Sequence, residues 1–91
     1  MELQIVSPEA ELFSGEVESI IVPGKSGSFQ ILNNHAAIVS TLISGEVIIK
    51  GNLKLNKEHK DKFIQKGNQT ILQIQTGAIE LNGNKAILLI D

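Results

Sequence analysis

The chain has no cysteine, tryptophan or tyrosine, and its only aromatic residues are Phe13, Phe29 and Phe63. The absence of cysteine excludes disulfides, thiolate zinc sites and cysteine nucleophiles. Nucleic-acid binding usually needs a cationic surface with stacking aromatic rings, and sugar-binding β-sandwiches depend on Trp and Tyr. The composition therefore argues against both of these binding classes.

Long apolar runs and long runs of like charge are also missing. No apolar run reaches the ~18 residues that a membrane helix requires, and the opening MELQIVSPEAE lacks the apolar core of a signal peptide. Eight basic and ten acidic residues leave a net charge of −2. We expect one domain on the cytosolic side that touches a membrane only through a partner.

The sequence does contain short apolar segments separated by turn signals such as Pro23-Gly24-Lys25-Ser26-Gly27 and Asn82-Gly83. Their spacing of about ten residues and the lack of an amphipathic helix predict an all-β fold. The fold would be a flattened sandwich or barrel of about 8–10 short antiparallel strands. The predicted strands are residues 3–6, 9–13, 17–22, 29–32, 36–42, 46–50, 53–56, 63–65, 69–76, 78–81 and 86–90.

Two turn signals and one apolar run define the predicted strand boundaries in the first third of the chain. Ser14-Gly15 predicts a turn between two strands. The run 17–22 is apolar at almost every position, which is typical either of a central core strand or of a strand buried between the sheet and a partner.

The residues that could carry chemistry are few. Ser28, His35 and Asp61 could be nominated as a catalytic set, but no nucleophile elbow surrounds any serine. Glu58, His59 and Asp61 are conceivable metal ligands in a lysine-rich loop that more simply meets water. The glycines around Lys25 lack the phosphate-binding loop pattern. We therefore predict no catalytic residue, metal or cofactor.

The stretch FSGEVESIIVPGKSGSFQILNNHA combines three motifs in order: F-S-G-x-V, P-G-x-x-G-x-F and I-L-x-N-H-A. In this combination it resembles the N-terminal β-sandwich domain of the epsilon subunit of F-type ATP synthases. The resemblance runs from residue 3 to about 47 and resumes at residue 77. Residues 51–75 fit less well, are longer than in the family, and are predicted to form an extra hairpin.

The resemblance implies a non-catalytic rotor subunit of the central stalk. Such a subunit binds the gamma subunit and seats the stalk on the c-subunit ring, so that proton-driven rotation reaches the catalytic head. It would lie at the cytoplasmic face of the inner or plasma membrane, as a peripheral part of the complex.

The resemblance also assigns residues to the two partners. Ser7, Ser28 and His35 correspond to three neighbouring loops at the end of the sandwich that rests on the c-ring. The gamma-facing residues would be Ile20, Ile21 and Val22, although core burial explains these three equally well. His35 could instead cap its own turn by hydrogen bonding to nearby backbone.

The sequence departs from the family pattern at three places. Ser28 stands where the family often has an acidic residue able to pair with an arginine of the c-subunit, and Asn33 stands where proline is common, which predicts a less rigid turn. The chain ends at Asp91, where most epsilon subunits continue into a two-helix hairpin. We therefore expect one sandwich domain over residues 1–91 without the helical domain.

Two other functional classes fit the residues alone. The first is a stand-alone β-sandwich adaptor that binds an unrelated protein through its edges or loops. The second is a small-ligand-binding sandwich. Either would lack the gamma-binding and ring-binding functions that the family resemblance implies.

Overall fold

The computed structural model describes residues 1–91, and almost all of its regular structure is β-strand. The only helical element is a 3₁₀ turn at Lys60–Lys62, so no helix is long and apolar enough to cross a membrane. The predicted all-β fold is confirmed. The ten strands are β1 (Glu2–Val6), β2 (Glu11–Glu16), β3 (Ser19–Gly24), β4 (Gly27–Leu32), β5 (Ile38–Leu42), β6 (Gly45–Lys50), β7 (Phe63–Lys66), β8 (Gln69–Ile74), β9 (Gly77–Asn82) and β10 (Lys85–Ile90).

The strands form one strongly curled sheet that folds over into two layers. The first layer has the order β2-β1-β10-β9-β5, and the second layer has the order β4-β3-β6-β8-β7. The layers are joined at one corner, where Gly24 of β3 pairs with Leu42 of β5. Every strand pair is antiparallel except β1 with β10, which run parallel.

The core lies between the layers because each strand turns alternate side chains inward. Twenty buried apolar residues from both layers form a single cluster. Burying each large aliphatic side chain stabilises the fold by roughly 1.5–3 kcal/mol, so this cluster supplies most of the cohesion. Its fully buried members include Leu3, Ile5, Ile20, Val22, Ile31, Val47, Ile49, Ile79, Ala86 and Leu88.

The predicted turn at Ser14-Gly15 is wrong. Both residues lie inside β2, where they pair with Gln4 and Leu3 of β1. Gly15 serves packing here rather than chain reversal, because a Cβ at this position would lie 3.1 Å from Cζ of Phe13. The chain reverses two residues later, at Val17 and Glu18.

The turn between β3 and β4 is tighter than the sequence predicted. Pro23 and Gly24 belong to β3 and pair with Ser28 and Gly27, so only Lys25 and Ser26 remain at the tip. The predicted strand at 53–56 is absent. Leu53 is buried in the core, but its segment pairs with no strand and its carbonyl accepts a bond from the Gln65 side chain.

The hairpin predicted within residues 51–75 exists, as β7 and β8, but it is not an addition to the fold. Strand β8 pairs with β6 along its whole length, from Gln69–Lys50 to Ile74–Gly45. Phe63, Leu72 and Ile74 enter the common core. The segment is therefore an integral part of the second layer.

Candidate interaction surfaces

The sandwich has two ends, each formed by several turns. One end, called the Met1 end, carries Met1, the Asn33-Asn34 turn and the Asn82–Asn84 turn, which hydrogen bonds join to one another. The other end, called the Ser28 end, carries the Ser7 turn, the Lys25-Ser26 turn and the Ile43-Ser44 bend, with Ile43 donating to the Pro23 carbonyl at 3.0 Å. These ends and the outer sides of the two layers are the surfaces open to partners.

The predicted clustering of Ser7, Ser28 and His35 is wrong. Ser28 lies near the start of β4, and His35 follows the end of that strand. A strand advances roughly 3.3 Å per residue, so the two residues are separated by the length of the sandwich. Ser7 follows β1 at the Ser28 end, and His35 lies at the Met1 end. Only Ser7 and Ser28 share an end.

Ser28 opens onto a polar cavity of about 360 Å³ at the Ser28 end. Exposed Lys25 and Ser44 also line it, as does exposed Glu46 from the start of β6. A carboxylate and an ammonium group therefore flank the Ser28 hydroxyl. Glu46 supplies an acid at this end, although the position of Ser28 itself carries none.

The hydroxyl of Ser7 is engaged within its own turn. The Ser7 amide donates to the carbonyl of Ala10 at 2.8 Å, and its Oγ donates to the same carbonyl at 3.2 Å. The amide of Ala10 donates back to the Ser7 Oγ at 3.3 Å. These bonds shape the turn after β1 and leave Ser7 half-buried.

His35 closes the turn that follows β4. Its amide donates to the Leu32 carbonyl at 3.3 Å, and its Nδ1 lies 2.7 Å from the Ala36 carbonyl oxygen. These contacts agree with the turn-capping interpretation. The preceding Asn33, which sequence reasoning treated only as a missing proline, accepts a 2.6 Å bond from the Met1 ammonium group through its Oδ1.

The three predicted gamma-facing residues do not point the same way. Ile20 and Val22 have no exposed area and belong to the core. Ile21 lies between them on the outer side of β3 and is half-buried. Because strand side chains alternate, only Ile21 is open to a partner, and the prediction for Ile20 and Val22 is corrected on that ground.

Ile21 belongs to a row of isoleucines that sequence reasoning missed. Ile21 pairs with Ile48 of β6, Ile48 pairs with Ile71 of β8, and Ile71 pairs with Ile64 of β7. All four face outward from the second layer, and Ile64 is 58% exposed. We call Ile21, Ile48, Ile71 and Ile64 the isoleucine row. Its only sequence signal was an apolar residue at an outward position in each of four predicted strands.

No catalytic constellation is assembled. Ser28 and His35 lie at opposite ends, so they cannot form a triad with Asp61. Glu58, His59 and Asp61 surround the 3₁₀ turn, and no group of three His, Cys, Asp or Glu side chains is placed to hold a metal ion. The cavities are shallow and line the turns and sheet faces rather than enclosing reactive groups.

Comparison with known proteins places this arrangement in context. The family model described as "ATP synthase, Delta/Epsilon chain, beta-sandwich domain" matches residues 1–91. The match includes residues 51–75, which had seemed to depart from the family. An ATP synthase epsilon chain from Chlorobium limicola is 43% identical over 88 residues, covering 97% of this chain and 85% of the relative.

Other relatives are longer than this chain. An ATP synthase epsilon chain from Leptospira interrogans is 35% identical over 91 residues, covering 100% of this chain but 61% of the relative. Among solved structures, a chain in the central stalk/c-ring of the Tetrahymena thermophila mitochondrial ATP synthase is similar, with a TM-score of 0.74 at 14% identity. That match covers 98% of this chain and 61% of the other, and it supports the fold alone.

Proposed function

The chain belongs to the ATP synthase delta/epsilon family, and we propose that it is a non-catalytic rotor subunit of an F-type ATP synthase. The observation that carries this proposal is the family match over residues 1–91 together with relatives named as ATP synthase epsilon chains. In this role the domain transfers no chemical group. It transmits torque between the c-ring and the gamma subunit, as a peripheral component at the cytoplasmic face of the membrane.

The fold suits torque transmission because it is closed and continuous. Ten strands share one hydrogen-bonded sheet and one core cluster, and close-packed interiors transmit strain rather than absorbing it. A load applied at the Ser28 end would reach the Met1 end through strands rather than through loops. A small domain of this kind can therefore act as a rigid connector.

We assign the c-ring contact to the Ser28 end. Lys25, Ser28, Ser44 and Glu46 offer a cation, two hydroxyl groups and a carboxylate around one cavity. Such a surface suits polar loops, because a polar rim supplies hydrogen bonds and orientation at a permanent interface. Ser7 contributes by shaping the neighbouring turn, and His35 lies outside this contact.

The first experiment is complex formation with the gamma subunit from the same source. Size-exclusion chromatography of the purified proteins should give a stable one-to-one complex. The stand-alone adaptor and the ligand-binding sandwich are not favoured, since the match to epsilon chains covers nearly the whole chain. A lack of complex at micromolar concentrations would contradict the rotor proposal.

The second experiment tests the ring contact. Ser28→Trp places a bulky side chain at the exposed cavity and should weaken proton-coupled ATP synthesis in reconstituted vesicles about tenfold, by analogy with truncation or blockage of an interface centre. Asn52→Trp is the matched control, because Asn52 is equally exposed but lies at the Met1 end. Equal activity of the two variants would refute the assignment of the ring contact to the Ser28 end.

A further inference from the structure

The outer side of the second layer presents the isoleucine row as one unbroken apolar stripe. Four adjacent strands each contribute one residue in direct register, with no polar side chain between them. Ile64 is 58% exposed, and the other three are half-buried. A contiguous apolar patch bordered by polar residues commonly marks a protein interface.

The outer side of the first layer has no equivalent stripe. Its central row runs through Gln4, Ile87, Glu80 and Val39, so polar and apolar side chains alternate across the strands. Val39 is 79% exposed but faces the carboxylate of Glu80 rather than another apolar side chain. The two outer sides are therefore unequal as docking surfaces.

The spacing of the isoleucine row fits a helix. Adjacent strands lie about 4.8 Å apart, whereas one turn of an α-helix rises about 5.4 Å. A helix crossing the strands would thus set one apolar side chain per turn against each isoleucine. Four strands span about 14 Å, which a helix covers in about ten residues.

The polar borders of the row are charged unequally. Lys50 and Lys66 lie in the adjacent row on one side, both paired with Gln69. The other side carries Glu46 paired with Gln73. An amphipathic helix that places acidic residues along the lysine side would complement this surface, and such complementarity mainly sets orientation and association rate.

We propose that an amphipathic helix of the gamma subunit, apolar once per turn and acidic along one side, docks across the isoleucine row. This inference rests on the proposed rotor function and names the face through which gamma is held. Ile21, which the sequence resemblance had assigned to gamma, is the end of the row nearest the β3–β4 hairpin. The c-ring contact at the Ser28 end and the gamma contact on the second layer then involve different surfaces.

The test compares matched double variants in binding to purified gamma subunit. Ile48→Ala/Ile71→Ala removes the centre of the row and should raise the Kd about tenfold or more, because truncated apolar anchors at an interface centre have effects of that size. Val39→Ala/Ile87→Ala makes the same kind of change on the first layer and should leave the Kd within about twofold. Thermal unfolding of both variants checks that each remains folded.

A charge variant protects the test from folding effects. Lys50→Glu/Lys66→Glu alters only exposed side chains and should slow association with gamma and reverse its dependence on salt. Unchanged association would contradict the acidic side of the proposed helix.

Cross-linking identifies the partner segment, since the chain has no cysteine of its own. Gln73→Cys and Lys66→Cys flank the row and should cross-link to residues of a single gamma helix spaced three or four apart. Glu80→Cys on the first layer should give no gamma product.

The outcomes separate this inference from the rotor proposal. If the wild-type chain binds gamma but the Ile48→Ala/Ile71→Ala variant binds equally well, the docking face is wrong and the rotor function stands. If the first-layer variant alone loses affinity, gamma docks on the opposite side. If the wild-type chain forms no complex, both proposals fail.

Discussion

The two sides of the second layer use the same residue type for opposite purposes. Ile48 and Ile49 are consecutive in β6, yet Ile49 is fully buried in the core and Ile48 faces outward in the isoleucine row. Ile20 and Ile21 repeat this contrast in β3. The difference arises only from the pleat of the strand, which sends successive side chains to opposite faces. Apolar character by itself therefore does not distinguish a core position from a binding position.

The inner side and the outer side should respond differently to the same change. An inner residue is surrounded on all sides, so lost atoms leave a cavity. An outer residue loses contacts with its row neighbours but lets water in. Stability should therefore report on the inner side, and partner binding should report on the outer side.

The largest expected effect is that of Ile49→Ala. Truncation of a fully buried isoleucine costs about 2–5 kcal/mol of unfolding free energy, and each kcal/mol lowers the Tm by about 4–8 °C in a domain of this size. Ile48→Ala, the matched outer change, should cost less than about 1 kcal/mol. Urea denaturation of both variants measures the difference, and equal losses would break the comparison.

A smaller effect is expected when an atom is added to the inner side. A Cβ at Gly24 would lie 2.8 Å from Cε1 of Phe29 and 2.9 Å from the backbone oxygen of Gly27. Gly24→Ala should therefore cost about 1–3 kcal/mol, the usual range for overpacking.

Ser28→Thr is the outer control for Gly24→Ala. It adds one methyl group to an exposed residue of the same hairpin and should change stability by less than about 0.5 kcal/mol. Thermal melts compare the two. A tolerated Gly24→Ala would show that the hairpin can shift its Phe29 ring away from the turn.

The smallest effect is expected at the polar residue of the inner side. Thr70 is 1% exposed and pairs with Ile49, and its Oγ1 accepts a 3.4 Å bond from Gln65 Nε2. That bond is long, and the same Gln65 nitrogen also donates to the Leu53 carbonyl. Thr70→Val should therefore change the unfolding free energy by less than about 1 kcal/mol. A loss above about 2 kcal/mol would indicate that the hydroxyl group satisfies a buried partner.

The sequence predicted the fold class because local patterns were strong. Alternating residues in β1, β4 and β9 and the Asn82-Gly83 turn each indicate a strand or a hairpin without knowledge of the rest of the chain. Ser14-Gly15 misled the prediction, since a glycine that accommodates the Phe13 ring has the same local signature as a glycine in a turn. Neighbouring residues do not specify which of these roles applies.

The candidate surfaces were harder to predict because they depend on pairing between distant segments. The isoleucine row exists only because β6 lies between β3 and β8 in one particular register. Likewise, Ser28 and His35 are close in sequence but are separated by the length of β4. The resemblance to a family gave the role of the protein, and the strand register showed which of its residues share a surface.

The parallel pairing of β1 with β10 also determines how the domain resists mechanical force. Tension between Met1 and Asp91 would pull these neighbouring strands in opposite directions along their axes. All five residue pairs, from Glu2–Lys85 to Val6–Leu89, would then be loaded together in shear. They could not open one at a time, as the pairs of a hairpin do when it is peeled from its ends. The two strands therefore act as a clamp, so tension along the chain meets the strongest arrangement of hydrogen bonds that the fold contains.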